Sequence, residues 1–350
     1  MHVSPGLCAN AHVYVLNVQR MPEVSTGYDY ESIAVELIRQ LRGRRSCAEL
    51  SRRIGYRSNI VHRWEARQCW PTAARFIALH QRLRPNRRSW LERFFHVEPA
   101  WLGARDPNSP EVIAEFLQQL RGKTPIVRIA ELAQRNRYGV ARWLSGTAEP
   151  KLPELLLLVD VAGRRLLDLL ACFEDPARLP SVRAQWQRLQ LAREAAYDRP
   201  WSHAVLRALE LDGSARAPAR QAAWIARRLA ISVQDVDESL RLLAVTGQIR
   251  KTRRGFVALP AMMVDTSQDP RRALELKAAW TQTALERMRS GAAGSFGYSL
   301  FAVSRADLQR LRNLHLEYVR AMQSVIADSA PNECVGLYCA QLLSLEAADA

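Results

Sequence analysis

The sequence predicts a mainly α-helical chain built from two tandem helical repeats, a three-helix unit closed by a hairpin, and a small α/β tail. Three observations predict it. One stretch occurs twice, seventy-nine residues apart. Apolar residues recur at helical spacing from Tyr30 to about Tyr197. Breakers at Asp106–Pro110, Glu174–Pro176 and Asp198–Pro200 divide the chain.

The first copy of the repeat runs from Leu50 to Pro71 and the second from Ile129 to Pro150. They align without a gap, Val61 on Val140, Arg63 on Arg142, Trp64 on Trp143 and Pro71 on Pro150. Upstream, Gln40-Leu41-Arg42-Gly43 matches Gln119-Leu120-Arg121-Gly122. In the first copy a helix is expected from Ser46 to about Ile54, with Ala48, Leu50 and Ile54 facing the core. Gly55 suits a tight turn of positive φ. Arg57 or Ser58 then opens a second helix, in which Val61 and Trp64 lie on one side and bury. Ser58, Asn59, His62 and Arg63 are left facing outward near its start. That is the layout of a helix-turn-helix, whose second helix enters the DNA major groove. Arginine suits guanine and asparagine suits adenine, each by paired hydrogen bonds that give roughly 1–3 kcal/mol of base discrimination. Arg52, Arg53, Arg57 and Arg67 flank this helix, where they are positioned to meet phosphates. The competing reading of the same pattern is a helical hairpin that only packs.

The segment Arg52 to Glu65 resembles the Cro/repressor (XRE) helix-turn-helix family, over about residues 30–95. The resemblance implies a compact bundle of about five helices that binds DNA, usually as a homodimer. It assigns base reading to Ser58, Asn59 and Arg63, the turn to Gly55 and the family's closing pair to Trp64-Glu65. Two tandem five-helix XRE-type bundles are therefore expected, over residues 29–105 and 108–178. The second copy departs from the pattern, with Gln134 in place of the turn glycine and Leu144 in place of the glutamate. Its outer face carries Asn136, Arg137, Tyr138 and Arg142, which are chemically capable of groove contact. It serves either as a second DNA-binding element or as a scaffold for the first.

Charge favours the first copy. The 350 residues carry a formal charge of +15. Residues 29–105 hold sixteen Arg, no Lys and seven acids, a balance of +9, whereas residues 108–178 hold ten basic and nine acidic groups, a balance of +1. Affinity for a polyanion follows that excess, so the second copy alone should bind weakly.

Residues 180–259 read as a winged-helix-like domain: three helices, the last capped by Ser232 with Asp235 at its N3 position, then a hairpin over Gln248–Val257. Asp235, Asp237 and Glu238 crowd the start of the third helix and repel phosphates, so a structural or protein-binding role is expected there. The hairpin cations Arg250, Lys251, Arg253 and Arg254 remain suited to a backbone contact. Residues 260–350 read as an α/β tail, with helices over Arg271–Arg289 and from Ser304 to about Ser329, and strand candidates at Tyr298–Val303 and Val335–Leu345. Gly297–Leu311 and Cys334–Ser344 resemble the end of an uncharacterised bacterial family that joins a regulatory segment to a tail domain of unknown function. That resemblance covers about residues 180–346, keeps Gln341 and lacks the family's closing Phe-Pro. Residues 1–28 read as a tail, with Met21 a natural domain start and residues 1–20 either a loose tail or a mis-assigned translation start.

The six cysteines form no CxxC pair and no His lies at zinc-finger spacing from them, so neither metal nor cofactor is expected. Free thiols suit a reducing cytosol. The longest apolar run, Leu155 to Val161, contains Asp160 and is far short of a membrane span. No nucleophile elbow and no phosphate loop is present, and no enzyme is expected. The expected function is sequence-specific binding of double-stranded DNA and regulation of transcription, in the cytoplasm at the nucleoid. The alternative is a protein-interaction adaptor that keeps the repeats as scaffolding.

Overall fold

Polar caps set where the first helices begin. Asp29 Oδ1 accepts the Ser32 N–H at 3.0 Å and opens α1 (Tyr30–Arg42). Ser46 Oγ accepts the Glu49 N–H at 3.1 Å and opens α2 (Cys47–Arg53). Asn59 caps α3 (Ile60–Glu65), Thr72 caps α4 (Ala73–Leu83) and Ser89 caps α5 (Trp90–Phe95). Each such cap contributes about 1 kcal/mol. The second repeat follows with α6 (Pro110–Arg121), α7 (Ile126–Ala133), α8 (Arg137–Leu144), α9 (Leu152–Gly163) and α10 (Leu166–Ala171). The structure, a computed structural model, describes residues 27–96, 98–99, 101–214, 218–259 and 264–346. The start-site reading at residues 1–20 and Met21 lies outside them.

The described residues divide into two units that meet in sequence at Gln190 and Leu191. In the first unit the duplication is written in the backbone. Positive φ recurs at equivalent positions: Gly43 (+61°) and Gly122 (+56°), Gly55 (+91°) and Gln134 (+49°), Arg67 (+59°) and Gly146 (+75°). Gln134 thus holds the turn that Gly55 makes, at the steric cost a β-carbon brings to the left-handed region.

The two repeats join through their own equivalent residues. The Ala73 N–H donates to Pro150 O at 2.9 Å and the Leu152 N–H donates to Pro71 O at 3.0 Å. These bonds flank an antiparallel bridge between Thr72 and Lys151. Thr72 faces its own equivalent, Lys151, and the flanking bonds exchange reciprocally, Ala73 with Pro150 and its equivalent Leu152 with Pro71, which makes the junction a local twofold. Helix packing repeats the relation: α1 lies on α9 and, reciprocally, α4 lies on α6. The symmetry breaks at one donor. The Ala74 N–H is taken by Glu149 Oε1 at 2.9 Å, whereas the equivalent Pro153 has no N–H to satisfy.

One core serves both repeats, so the segments 29–105 and 108–178 make a single unit. Trp90 of α5 meets Phe116 of α6 edge-on at 4.9 Å, and Phe94 meets the same ring at 5.0 Å. Phe76 of α4 meets Phe173, just past α10, at 5.5 Å. At the centre α9 is buried from Leu155 to Val161. Its one acid in that run, Asp160, accepts the Tyr30 hydroxyl of α1 at 2.6 Å. His80 Nε2–H donates to Phe173 O at 2.7 Å, and burial holds that imidazole below its ordinary pKa, in the neutral form. Beside it Arg84 pairs with Glu174.

α11 (Arg183–Asp198) carries the chain past Gln190. The second unit contains α12 (Trp201–Leu209), α13 (Pro218–Leu229) and α14 (Val233–Val245), then the antiparallel strands β1 (Ile249–Thr252) and β2 (Gly255–Ala258). Ser232 caps α14 as expected: its Oγ accepts the Asp235 N–H at 3.0 Å and donates to Asp235 Oδ2 at 2.6 Å. Gln221, fully buried on α13, fixes the hairpin: its carbonyl accepts the Phe256 N–H at 2.7 Å and its amide donates to Phe256 O and Ser214 O, each at 2.9 Å. α15 (Pro270–Arg289) and α16 (Arg305–Asp328) follow.

The tail corrects the α/β expectation. Among the described residues β1 and β2 form the only sheet, and neither Tyr298–Val303 nor Val335–Leu345 is a strand. A strand needs a neighbouring edge for its N–H and C=O groups, and neither segment has one. The second is held by side chains instead, with Gln341 donating to Thr281 Oγ1 at 3.0 Å and Tyr338 lying 5.7 Å from the Tyr318 ring. No helix among the described residues is long and apolar enough to cross a membrane.

Two stability predictions follow from this packing. A β-carbon at Gly55 would meet nothing within 4 Å, so Gly55→Ala should cost only the backbone term, about 1–2 kcal/mol. Gln134→Gly should act in the opposite direction, a net gain of about 0.5 kcal/mol once glycine's added chain entropy is subtracted. Urea midpoints check both signs. On α12, burial pushes the His203 pKa down to about 4 from an ordinary 6.5, and its Nε2 is buried without a hydrogen-bond partner among the described residues. The unfolded chain gains that proton first. Stability should therefore be full above pH 6.5 and fall as pH drops towards 4, by at most roughly 3 kcal/mol. The His203→Leu variant should lack this part of the slope in a pH series of urea melts.

Candidate nucleic-acid interface

The surface begins with a buried serine. Ser51 Oγ on α2 donates to Cys47 O at 2.7 Å and accepts the Val61 N–H at 3.1 Å, which ties α2 to the start of α3. The Tyr56 N–H returns to Ser51 O at 2.9 Å through the Gly55 turn. Val61 and Trp64 are buried, as their spacing predicts. Trp64 meets Tyr56 edge-on at 6.1 Å, and the Arg75 guanidinium lies 5.6 Å over the Tyr56 ring.

Several arginines of this repeat hold the scaffold. Arg75 donates to Ile54 O at 3.0 Å and Arg82 to Arg53 O at 3.2 Å, so two cations of α4 meet carbonyls at the end of α2. Their seven-residue spacing places them two turns apart on one face, a signal already present in the sequence. Glu65, mostly buried, receives Arg42 through both oxygens, at 2.6 and 3.3 Å, and Arg39 at 3.4 Å. That hydrogen bond raises the Arg42 pKa further above its ordinary value. In the second repeat the place of Glu65 is taken by Leu144, buried against the core. An ion pair and an apolar contact thus fill the same joint.

Arg67 belongs with these scaffold residues. Its guanidinium donates to Ser32 Oγ at 2.6 Å and lies 3.7 and 3.8 Å from Asp29 and Glu31. It clasps the loop after α3 to the start of α1, whereas the sequence reading placed it among phosphate contacts. Asn59 also has a structural task. α3 opens at Ile60, later than expected, because Asn59 Oδ1 caps it by accepting the His62 N–H at 3.4 Å. The expected paired bonds to adenine require that same oxygen, so the cap competes with base reading.

What remains outward is cationic. Arg52, Arg53, Arg57, His62 and Arg63 are exposed, together with Ser58 and Asn59. Among the described residues none gives the side chains of Arg52, Arg53, Arg57, His62 or Arg63 a hydrogen bond or ion pair. The second repeat presents a shorter set. Asn136 Oδ1 caps α8 by accepting the Tyr138 N–H at 2.8 Å, and Arg137, Tyr138 and Arg142 are exposed, Tyr138 at 77%. No group of three His, Cys, Asp or Glu side chains among the described residues is placed to hold a metal ion. Glu65→Ala should cost about 1–3 kcal/mol, because it takes the acceptor from Arg42 Nε and Nη2 at a half-buried position. Hydrogen exchange should show α1 and α3 loosening together in that variant, and unchanged protection there would contradict the assigned joint.

Comparison with known proteins adds one likeness. Residues 181–343, just under half of the chain, match a family described as a domain of unknown function (DUF4423). The match coincides with the tail resemblance read over about residues 180–346. No curated protein and no solved structure matches the chain.

Proposed function

We propose that the two repeats are tandem XRE-type helix-turn-helix units and that the chain binds double-stranded DNA sequence-specifically to regulate transcription. The observation that carries this reading is the rim of cations around α3 that have no partner among the described residues. His62 and Arg63 project from α3, whose inner side is fixed by Val61 and Trp64, with Arg52 and Arg53 at the end of α2 and Arg57 in the turn beside them, while the nearby acid Glu65 is turned inward onto Arg42 and Arg39. Cations without a partner among the described residues suit a polyanion. In this mechanism Arg52, Arg53 and Arg57 dock on phosphates, and Arg63 with Ser58 reads base edges in the major groove.

The three helices and hairpin over Trp201–Ala258 are read as a winged helix with a supporting role. The start of α14 is acidic, and Glu238 there pairs with Arg199. A second reading, a protein-interaction adaptor, draws on the exposed apolar side chains of the tail, among them Tyr298, Leu300 and Leu345.

Gel shifts against duplexes enriched from a random pool, titrated with salt, separate the two readings. The DNA reading expects Arg63→Ala to relax preference at one base position at a cost of about 1–3 kcal/mol. It expects Arg52→Ala to weaken all sequences alike and to reduce the salt slope by about one. Weak binding, equally sensitive to salt on every sequence, would favour the adaptor.

A further inference from the structure

We infer that one chain carries both reading heads for one DNA site, and that the site consists of two unlike half-sequences in inverted arrangement. The inference rests on the DNA-binding reading and goes beyond it by defining the substrate. Its basis is the reciprocal junction: Ala73 N–H to Pro150 O, Leu152 N–H to Pro71 O, with Thr72 opposite Lys151. A junction in which one pair of equivalents meets at the centre and the flanking residues exchange contacts reciprocally is what a twofold axis makes. Here the axis relates two halves of one chain.

The position of the junction gives it consequence. Thr72 lies seven residues past the end of α3, and Lys151 lies seven residues past the end of α8. A twofold preserves the component of any direction along its axis and reverses the components across it. The outward faces of α3 and α8 therefore share one sense along that axis and run oppositely across it, the relation that inverted half-sites require. The resemblance assigns the second head to a partner copy, but here the chain supplies it. The spacing of the heads is held by backbone hydrogen bonds and by rings that cross between the repeats, Trp90 on Phe116 and Phe76 on Phe173.

The heads differ chemically, so the halves of the site must differ. α3 offers Ser58, His62 and Arg63, flanked by Arg52, Arg53 and Arg57. α8 offers Arg137, Tyr138 and Arg142. The exposed Tyr138 ring stands where the first repeat has Asn59 and suits an apolar contact such as a thymine methyl. The near-neutral charge of the second repeat ceases to matter for affinity once the first holds the duplex, because its local concentration is then set by the shared core.

The test is selection of the full chain on random duplexes, repeated with Arg63→Ala and Arg142→Ala, both at exposed positions. The expected site is bipartite, with Arg63→Ala relaxing one half only and Arg142→Ala the other half only. Inserting five base pairs between the halves should weaken binding roughly 10- to 100-fold, because half a turn carries the second half to the opposite face of the duplex. An enriched site with a single half, or a palindrome in which Arg63→Ala relaxes both halves and Arg142→Ala neither, would overturn the inference while leaving the DNA reading intact. If no sequence were enriched at all, both would fall.

Discussion

Two backbone hydrogen bonds fix the arrangement on which the rest of the first unit depends. Pro71–Ala73 and Pro150–Leu152 pair antiparallel about Thr72 and Lys151, and the reciprocal packing of α1 on α9 and α4 on α6 is consistent with that register. Once it is set, α1 reaches α9 and α4 reaches α6, and the aromatic rings of α5 close over Phe116. Ten short helices that would be marginal alone become one unit with a common interior. The junction also explains why α9 is apolar on nearly every side: it lies at the centre of both repeats, whereas its equivalent α4 keeps Arg75 and Arg82 for the carbonyl end of α2.

The repeats have diverged in side chain while keeping backbone. Gln134 adopts the positive φ of Gly55, and Gly146 that of Arg67, so turn geometry survives the loss of the residue best suited to it. The joint between the first and third helices is an Arg42–Glu65 pair in one copy and a buried Leu144 in the other. Ala74 needs an acceptor and finds Glu149, while Pro153 needs none. Such substitutions leave the scaffold equivalent and free the outer faces to specialise. The first face holds cations without a partner among the described residues, and the second holds two arginines and a tyrosine.

Much of this was legible in the sequence. The duplication, the caps at Ser46 and Ser232, the turn at Gly55, the buried Val61 and Trp64 and the order of three helices and a hairpin all follow from local chemistry and periodicity. Three things did not. The Thr72–Lys151 bridge is made of backbone groups and has no side-chain signature. The roles of Arg67 and Asn59 depend on which neighbours fold back onto them, Asp29 and Glu31 for one and the His62 N–H for the other. The tail segments have the residues of strands, Tyr298–Val303 especially, but pairing requires an edge from elsewhere in the chain, and none is offered among the described residues.

The central claim is that α3 and α8 face one duplex from either side of a local twofold. Site-specific photocrosslinking tests it most directly, with a photoreactive residue placed at position 62 or at position 138 of the full chain on an enriched duplex. The account predicts crosslinks from both positions, each to its own cluster of bases, on opposite sides of the site's centre. Crosslinks from position 62 alone, with position 138 labelling protein or nothing, would contradict it.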